Sequence, residues 1–363
     1  MKTGIYLLFL CEVCVEISKA DIKPKIPKEE KEENFLQRNK DVNISEEWDQ
    51  HENVSKPFEK QVLEEFTLYN FTEKTANFGF NLYRKIAMTH DKNVVFSPLS
   101  VSALMATYMF AAKGETHRQI VKGLNLHALN DRENQHYLPA LFKQLKDNIT
   151  TNEELLLVQG KWLYPFNSKF TEIETFHINK YRSVQVPMMF KSDKVTSTFD
   201  ENLRCNVIKL PYKGKAHMLV VIPEKEADYI SLEDHLTTEL VEAWLRNMKT
   251  RKVDISFPKF KLEQKYKMKK LLQALGIKNL FTHAADLSHL TDQEYVKVSQ
   301  VVQKAVIEVD EKGTEATAAT GSEITAFSVP PVIKVDRPFL FMIFEETFST
   351  LLFMGRVVDP TEM

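Results

Sequence analysis

The order of two hydrophobic periodicities along the sequence, first helical and then strand-like, limits the possible folds of this chain more than any other feature. From Val62 to about residue 150, apolar residues recur every three or four positions, as in VLEEFTLYNFTEKTANFGF, which predicts amphipathic helices. The second part carries short alternating or continuous apolar runs such as HMLVVIP, VVQKAVIEVD and TLLFMGRVV, which are typical of strands. Helices followed by strands predict an α+β fold, and residues 61–363 are long enough for one large domain.

Local signals divide these two parts into elements. The stretch VVFSPLSVSALMATYMFAAKG predicts a buried strand or turn, then an apolar helix from about Ser97 that stops at Gly114, where another short helix follows. In YLPALFKQLKDNI the apolar residues share one face, and Lys143 and Lys146 fall off it toward solvent. Further helices are predicted near SLEDHLTTELVEAWLRNM and QKYKMKKLLQALGI.

The amino terminus has the features of a secretory signal peptide. Residues 1–20, MKTGIYLLFLCEVCVEISKA, combine Lys2, an apolar run and small residues at a cleavage position. Glu12 and Glu16 are unusual in such a run, and an amphipathic start that stays on the chain is the alternative. Residues 21–60 are dense in charge and poor in apolar side chains, which predicts an acidic, disordered extension. We therefore expect a secreted, extracellular protein.

Secretion bears on the cysteines and on possible glycan sites. Cys11 and Cys14 would leave with the signal peptide, so the mature chain would keep only Cys205 and could form no internal disulfide. Four Asn-x-Ser/Thr sequons are candidate glycosylation sites in a secreted glycoprotein, namely Asn43, Asn53, Asn70 and Asn148.

Charge and motifs narrow the classes of function. A formal net charge of -2 gives no general attraction to nucleic acid, whose phosphates need a concentrated basic face. The sequence holds no His-Glu-x-x-His, no pair of Cys-x-x-Cys motifs, no Gly-x-Ser-x-Gly and no Walker motif, and its 10 histidines are scattered singly. We therefore expect no enzymatic activity, no metal site and no insertion into a membrane.

A long run of small residues, DEKGTEATAATGSEITAFSVPP at residues 310–331, stands just before the last strands. In an extended chain alternate side chains share a face. One such face is made only of small side chains, those of Thr314, Ala316, Ala318, Thr320 and Ser322. That face could enter a sheet without steric conflict, although small residues also dominate ordinary linkers. Phe327 beside Ser328 is typical of bait for a chymotrypsin-like pocket, and an aromatic residue packed on the surface would fit equally.

Several motifs spread from Val62 to Pro360 resemble those of one protein family. They are FSPLSVSALMA, KWLYPF, VIEVDEKGTEATAA, DRPFLFMIFEE and LFMGRVVDP, and with them the chain resembles the serpins. The resemblance implies three β-sheets with surrounding helices and an exposed reactive-centre loop. It also implies a suicide-substrate mechanism, in which a serine protease attacks the loop and is trapped as an acyl-enzyme while the loop inserts into the main sheet. The chain then supplies the bait and has no catalytic residue.

The same resemblance assigns roles to residues around the loop. It implies a reactive bond between Phe327 and Ser328. The hinge residues that it implies are Glu311, Gly313, Thr314, Ala316, Ala318 and Thr320. It further implies that Glu311 pairs with Lys259 at the top of the sheet, near Trp162, and that Ser97, Pro98 and Ser100 lie beneath the sheet.

A closer resemblance, carried by SEITAFSVPPVIKVDRPF and TTELVEAWLRNMKTRK, points to one branch of this family. It implies factor Xa as a target with protein Z as a membrane-bound cofactor, and factor XIa as a target without it. The residues that it implies for protein Z binding are Asp234, Tyr181, Met88 and Asp91. Those that it implies for heparin binding are Arg118, Lys122, Arg132, Lys143 and Lys146. An ordinary solvated surface is the alternative for each of these residues.

One departure from the family lies at Gly160 and Lys161, where NEELLLVQG runs directly into KWLYPF. Several dozen residues that a serpin should have are missing there, including part of the main sheet, called sheet A, and its covering helix. We expect LLLVQGKWLYPF to form one strand that replaces two. Three functions stay open: a suicide inhibitor, a truncated variant that proteases cleave as a substrate, and a non-inhibitory serpin that acts only as a binding module.

Overall fold

A computed structural model gives the fold of most of the chain. It describes residues 12–17, 56–129, 137–151, 161–226, 228–293, 295–311 and 330–362. The α+β organisation predicted from the sequence is confirmed, because the longest helices precede most of the strands. No helix within these ranges is both long and apolar enough to cross a lipid bilayer.

Seven α-helices lie in the described ranges. They are α1 Lys56–Ala87, α2 Pro98–Ala111, α3 Gly114–Gly123, α4 Tyr137–Thr151, α5 Tyr229–His235, α6 Thr238–Asn247 and α7 Lys269–Ala274. Helix α1 begins at Lys56, inside the extension predicted for residues 21–60. Pro57 in its first turn suits this start, since the first turn of a helix needs no N–H from that position.

The junction between α2 and α3 follows its sequence signals. Ser97 caps α2 with its side chain, which accepts a hydrogen bond of 3.2 Å from the Ser100 N–H. Gly114 has a φ of +55°, a backbone conformation that L side chains rarely adopt, and it lets the chain turn directly into α3. The predicted break between two helices is confirmed, with α2 ending at Ala111, three residues before Gly114, and α3 beginning at Gly114.

Twelve strands lie in the same ranges. They are β1 Glu12–Ile17, β2 Val94–Phe96, β3 Glu172–Asn179, β4 Arg182–Asp200, β5 Cys205–Pro211, β6 Ala216–Pro223, β7 Lys249–Pro258, β8 Phe260–Lys267, β9 Val298–Val309, β10 Val332–Lys334, β11 Phe339–Glu345 and β12 Thr350–Val357. Nine of them form one sheet in the order β10-β7-β4-β5-β6-β11-β12-β2, with β3 also on β4. The other three form a sheet in the order β1-β9-β8.

The described strands form two hydrogen-bonded sheets, because two of the three sheets that the resemblance implies are joined in the larger one. Strand β4 is 19 residues long and changes partners along its length. Its first part pairs with β3, its middle with β7 and its last residues, Thr196–Asp200, with β5. The region that carries β10 and the region of β5, β6, β11 and β12 are thus joined through one continuous strand.

The smaller sheet contains the strand that leads into the loop. Strand β9 pairs antiparallel with β8 on one side and with β1 on the other, from Glu12 opposite Lys304 to Ile17 opposite Val298. The single strand expected from LLLVQGKWLYPF is wrong over residues 161–166, where only Trp162 forms an isolated bridge, to Tyr212. Two hydrogen bonds form that bridge: the Leu163 N–H donates to Pro211 O, and the Lys213 N–H donates to Lys161 O.

Two buried clusters hold the elements together. One joins the helices to one face of the larger sheet and includes Phe71, Tyr83, Met105 and Met354. The other lies where the smaller sheet meets the larger one and includes Ile307 and Phe341. At Gly355 a Cβ would lie 1.9 Å from Val94 O, so only glycine lets β12 approach β2 this closely.

Candidate functional site

The end of β9 is tied to the start of β8 by a charged hydrogen bond. Lys259 Nζ donates to Glu311 Oε2 at 2.8 Å, and Thr171 Oγ1 donates to Glu311 Oε1 at 2.7 Å. Burial alone would raise the pKa of Glu311, but these two hydrogen bonds and the Lys259 charge outweigh it and lower that pKa below its usual value. The predicted pairing of Glu311 with Lys259 is confirmed.

Trp162 holds the backbone of Asp310, the residue before Glu311. Its Nε1–H donates to Asp310 O at 2.9 Å, and its ring stacks on Tyr212 with centroids 4.4 Å apart. Trp162 and Tyr212 are both buried. The turn out of β9 therefore starts from a backbone held by an aromatic side chain and a salt bridge.

Residues beneath the smaller sheet also lie where they were expected. Gln303 of β9 is fully buried, and its Nε2–H donates to Ser97 O at 2.8 Å. Ser97 Oγ lies 2.9 Å from Ser100 Oγ, at the first turn of α2. The start of α2 is thus hydrogen-bonded to the middle of the strand that leads into the loop.

The loop itself lies outside the described residues. This applies to the implied hinge positions Gly313, Thr314, Ala316, Ala318 and Thr320 and to the implied reactive bond at Phe327 and Ser328. The two ends are described. The chain leaves β9 at Glu311 and returns at β10, which pairs parallel with β7 from Val332 opposite Asp254 to Lys334 opposite Ser256.

Three of the residues implied for protein Z binding lie together. Met88 and Asp91, just after α1, and Asp234, on α5, line one open hollow of about 710 Å³. All three are exposed, and Met88 keeps 77% of its surface in solvent. We call this the first hollow.

The fourth residue, Tyr181, lies beside an adjoining hollow. It is 86% exposed in the turn between β3 and β4, where Asn179 Oδ1 accepts from the N–H groups of Tyr181 and Arg182. Asn179 and Arg182 line this second hollow, of about 390 Å³, which shares Asp91, Tyr229 and Ile230 with the first. The structure therefore brings Met88, Asp91 and Asp234 together and places Tyr181 in the turn beside the second hollow.

A buried polar network forms the floor of the first hollow. Arg356 Nη1 donates to both carboxylate oxygens of Glu233, at 2.8 and 3.0 Å, and Tyr83 Oη–H donates to Glu233 at 2.6 Å. Arg356 also bonds Lys92 O at 2.9 Å and the carbonyl of His90. Because these residues come from α1, α5 and β12, the network fixes α5 against the rest of the fold. The sequence analysis did not identify it, since its members are scattered in sequence.

The residues implied for heparin binding are only partly described. Arg118 and Lys122 lie one helical turn apart on α3, and both are exposed. Arg118 forms a 2.7 Å salt bridge with Glu115, which neutralises part of this face. Lys143 is exposed on α4, whereas Arg132 and the side chain of Lys146 lie outside the described residues.

The structure describes the side chains of only some of the predicted glycosylation sites and of Cys205. Asn70 is half-buried on α1, and the hydroxyl of its sequon partner Thr72 is buried and donates to Tyr69 O and Phe348 O. Asn43, Asn53 and the side chain of Asn148 lie outside the described residues. Cys205 is a buried free thiol, and burial raises its pKa to about 12, so it is chemically quiet.

The sequence is similar to a known protein family and to named members of it. The profile of the family described as Serpin (serine protease inhibitor) matches residues 73–158 and 154–360, two segments that meet next to the predicted missing stretch. Human protein Z-dependent protease inhibitor is 44% identical over 367 aligned residues, which cover 80% of this chain and 82% of the human protein.

Solved structures agree with the sequence match. The crystal structure of mouse protein-Z dependent protease inhibitor superposes with a TM-score of 0.74 at 41% identity and covers 82% of this chain and 100% of that one. A thyroxine-binding globulin in complex with thyroxine superposes with a TM-score of 0.70 at 25% identity and covers 81% of this chain and 100% of that one. The profile match and the identity to these relatives show that the chain belongs to the serpins, the family of serine protease inhibitors.

Proposed function

We propose that the chain is a secreted inhibitor of coagulation proteases that offers the Phe327–Ser328 bond as bait. The observation that carries the proposal is the way both ends of the loop are fixed. Glu311 is held by Lys259 and Thr171 where β9 ends, and β10 is paired with β7 where the chain returns. A loop tethered at two rigid strands can be presented to a protease in a defined position.

The small side chains of the hinge support insertion after cleavage. Thr314, Ala316, Ala318 and Thr320 share one face of an extended chain and would fit against a sheet interior. Once removal of residues 1–20 has taken β1 away, the inserting segment would pair with the edge of β9 that β1 covers. By this mechanism the protease stays attached as an acyl-enzyme.

The second candidate is a variant that proteases cleave without being trapped. The observation that favours it is the short sheet around β9, which has only β8 and β1 beside β9 among the described strands. Trapping depends on the free energy released when the loop inserts between strands of a complete sheet, and a short sheet releases less.

A denaturing gel separates these two functions. The secreted chain is incubated with factor XIa and, separately, with chymotrypsin. Inhibition predicts a covalent band at the summed mass of chain and protease, and simple cleavage at Phe327 with free protease supports the second candidate. Thr314→Arg is the matched variant, because a long charged side chain on the insertable face should convert trapping into cleavage. Phe327→Ala should reduce both products.

The name of the human and mouse relatives, protein Z-dependent protease inhibitor, supports a proposal for the target and the partner. We infer factor Xa as the target when protein Z is bound at the surface of Met88, Asp91, Asp234 and Tyr181, and factor XIa as a target without protein Z. Removal of residues 1–20 and glycosylation at the sequons belong to the same proposal. Amino-terminal sequencing of the secreted chain should give Asp21 as the first residue. A secreted chain that still begins at residue 1 would contradict the predicted cleavage.

A further inference from the structure

The segment that leads into β3 touches both ends of the loop. Thr171 Oγ1 donates to Glu311 Oε1 at 2.7 Å, and Glu311 is the last residue described before the loop. Three residues further on, Glu174 forms a 2.6 Å salt bridge with Lys334 of β10, where the chain has returned from the loop. Because an extended chain spans about 3.5 Å per residue, the Cα atoms of Thr171 and Glu174 lie within about 11 Å of each other. The two ends of the loop therefore converge on this segment.

Three exposed apolar side chains lie at this point. Phe170 is 56% exposed and Ile173 is 66% exposed, one on each side of Thr171 in the sequence. Val332 is 63% exposed on β10, and it shares one face of that strand with Lys334, the alternate residue. We call Phe170, Ile173 and Val332 the loop-base patch. Single exposed apolar residues are ordinary, but a group of them is typical of an interaction surface, because a partner that covers it removes apolar area from water.

The backbone of the loop-base patch is held in place. Phe170 ends a single turn of 3-10 helix, and its N–H bonds Asn167 O at 2.9 Å. Ile173 lies opposite Pro187 in the pairing of β3 with β4, and Val332 belongs to the pairing of β10 with β7. A partner would thus meet a preformed surface and would lose little free energy in ordering it.

The sequence limits how far a bound protease can lie from the loop-base patch. The proposed reactive bond joins Phe327 and Ser328, and Phe327 is three residues before Pro330, the first residue described after the loop. Three residues span at most about 11 Å. A protease domain of about 200 residues has a radius of gyration of about 16 Å, so it is larger than the segment that tethers it. Its surface therefore has to rest on residues next to β10.

Charge indicates the chemistry of this contact. Lys334 and Glu174 neutralise each other, and the two exposed charged residues of the segment, Lys169 and Glu172, have opposite signs. The loop-base patch thus offers a partner mainly apolar area, and salt does not screen the burial of such area as it screens charges. A matching protease carries apolar side chains beside its active-site cleft.

We propose that the loop-base patch contacts the body of the target protease while the active site of that protease holds the Phe327–Ser328 bond. This rests on the proposed function, which supplies the protease and the bond. A contact outside the cleft stabilises the complex in which the bond is attacked, so it raises the rate of attack. It leaves the later step, insertion of the loop, unchanged.

The first test measures the second-order rate constant for attack of factor XIa on the full secreted chain, from the loss of intact chain on denaturing gels. Ile173→Ala should lower this rate constant about fivefold, and Ile173→Leu should keep it within about twofold of the unaltered chain, since most of the apolar area is kept. The ratio of trapped to cleaved chain should not change, and the fivefold factor should be the same at low and high salt.

A control variant separates a local contact from a general effect. Tyr295→Ala is the control, because Tyr295 is 71% exposed beside a different hollow, lined by residues between His283 and Val296. It should leave the rate constant unchanged. The thermal unfolding midpoints of all three variants should match that of the unaltered chain, because each replaced side chain is exposed.

A cross-link reports the contact directly. Ile173 is replaced by the photoreactive residue benzoylphenylalanine, and the chain is irradiated with factor XIa whose active-site serine is replaced by alanine, so that the loop is bound but not cut. A band at the summed mass is expected for this chain. The same replacement at Tyr295 should give no such band.

The outcomes distinguish this inference from the proposed function. If factor XIa does not attack the unaltered chain at Phe327, the proposed function is wrong and the inference falls with it. If it attacks, but Ile173→Ala stays within twofold or no cross-link forms from position 173, the loop-base patch is not a protease contact and the proposed function stands. Faster attack on Ile173→Ala would also overturn the contact, since the patch would then be covered by the chain itself.

Discussion

Lys259 and Glu311 join the two strands that frame the start of the loop. Their side chains meet at 2.8 Å, with Lys259 between β7 and β8 and Glu311 just after β9. The hydrogen bond from Thr171 brings the segment before β3 to the same carboxylate. One side chain, Glu311, therefore connects three parts of the chain.

Replacing Glu311 by glutamine should lower the free energy of unfolding by about 1 kcal/mol, because charged hydrogen bonds at a partly exposed site are replaced by neutral ones. Urea unfolding followed by circular dichroism measures the change. Glu308→Gln is the control, since Glu308 pairs with Lys261 on the same two strands at 3.2 Å but is more exposed. An equal loss in both variants would contradict a special role for Glu311.

The contribution of Glu311 should depend on pH. Its pKa is lowered in the fold, so the carboxylate stabilises the folded state above the usual glutamate pKa, and this contribution is lost as pH falls through the lowered value. The difference in unfolding free energy between the unaltered chain and Glu311→Gln should be constant near neutral pH and shrink in acid. A difference that persists unchanged in acid would rule this out.

Removing Arg356 should be strongly destabilising. Arg356→Met leaves the buried Glu233 carboxylate without its bidentate partner, and breaking a buried pair in this way costs about 3–5 kcal/mol. Adding Glu233→Leu should recover part of the loss, since no buried charge then remains. Thermal unfolding compares the two variants, and a double variant less stable than Arg356→Met would show that losing the hydrogen bond from Tyr83 to Glu233 outweighs removing the buried charge.

Asp234→Ala should weaken binding to protein Z by about tenfold, as expected for a charged side chain that contacts a partner directly. Inhibition of factor XIa, which needs no protein Z in the proposed function, should be unchanged. Glu263→Ala on β8, in the other sheet, serves as the control. An equal loss against both proteases would point to a folding defect.

We propose that Arg118 and Lys122 contribute to heparin binding, and two substitutions on α3 should then change that binding in opposite directions. Lys122→Ala should lower the salt concentration at which the chain leaves a heparin column, because one exposed cation is lost. Glu115→Gln should raise it, because Arg118 is released from its 2.7 Å salt bridge. Lys261→Ala on β8 is the control, and a comparable shift in that variant would mean that heparin is held by overall charge.

The sequence predicted the fold where a hydrophobic pattern and a local signal agreed. Strands β6, β9, β11 and β12 and the stop at Gly114 all lie where such patterns occur. Strands β3 and β4 were missed because their sequence mixes exposed, half-buried and buried positions and contains Pro187, so no clear period of two stands out. The merging of two expected sheets through β4 was missed for the same reason.

In the candidate site, too, some features could be predicted from the sequence and others could not. The pairing of Glu311 with Lys259 followed from family resemblance, because Glu311 sits in the matched motif VIEVDEKGTEATAA. The first hollow depends on α1, α5 and β12 coming together, and no pattern within a single segment reports such contacts.

Because β1 pairs with β9, the edge of the smaller sheet depends on whether the leader is kept or removed. Glu12–Ile17 lie within the predicted leader, and in the intact chain they cover one edge of β9. A secreted chain cut after Ala20 would present that edge with open backbone donors and acceptors, which other strands can join. Material made in bacterial cytosol with the leader retained and material from a secretory pathway would therefore be distinct species, and aggregation assays should treat them separately.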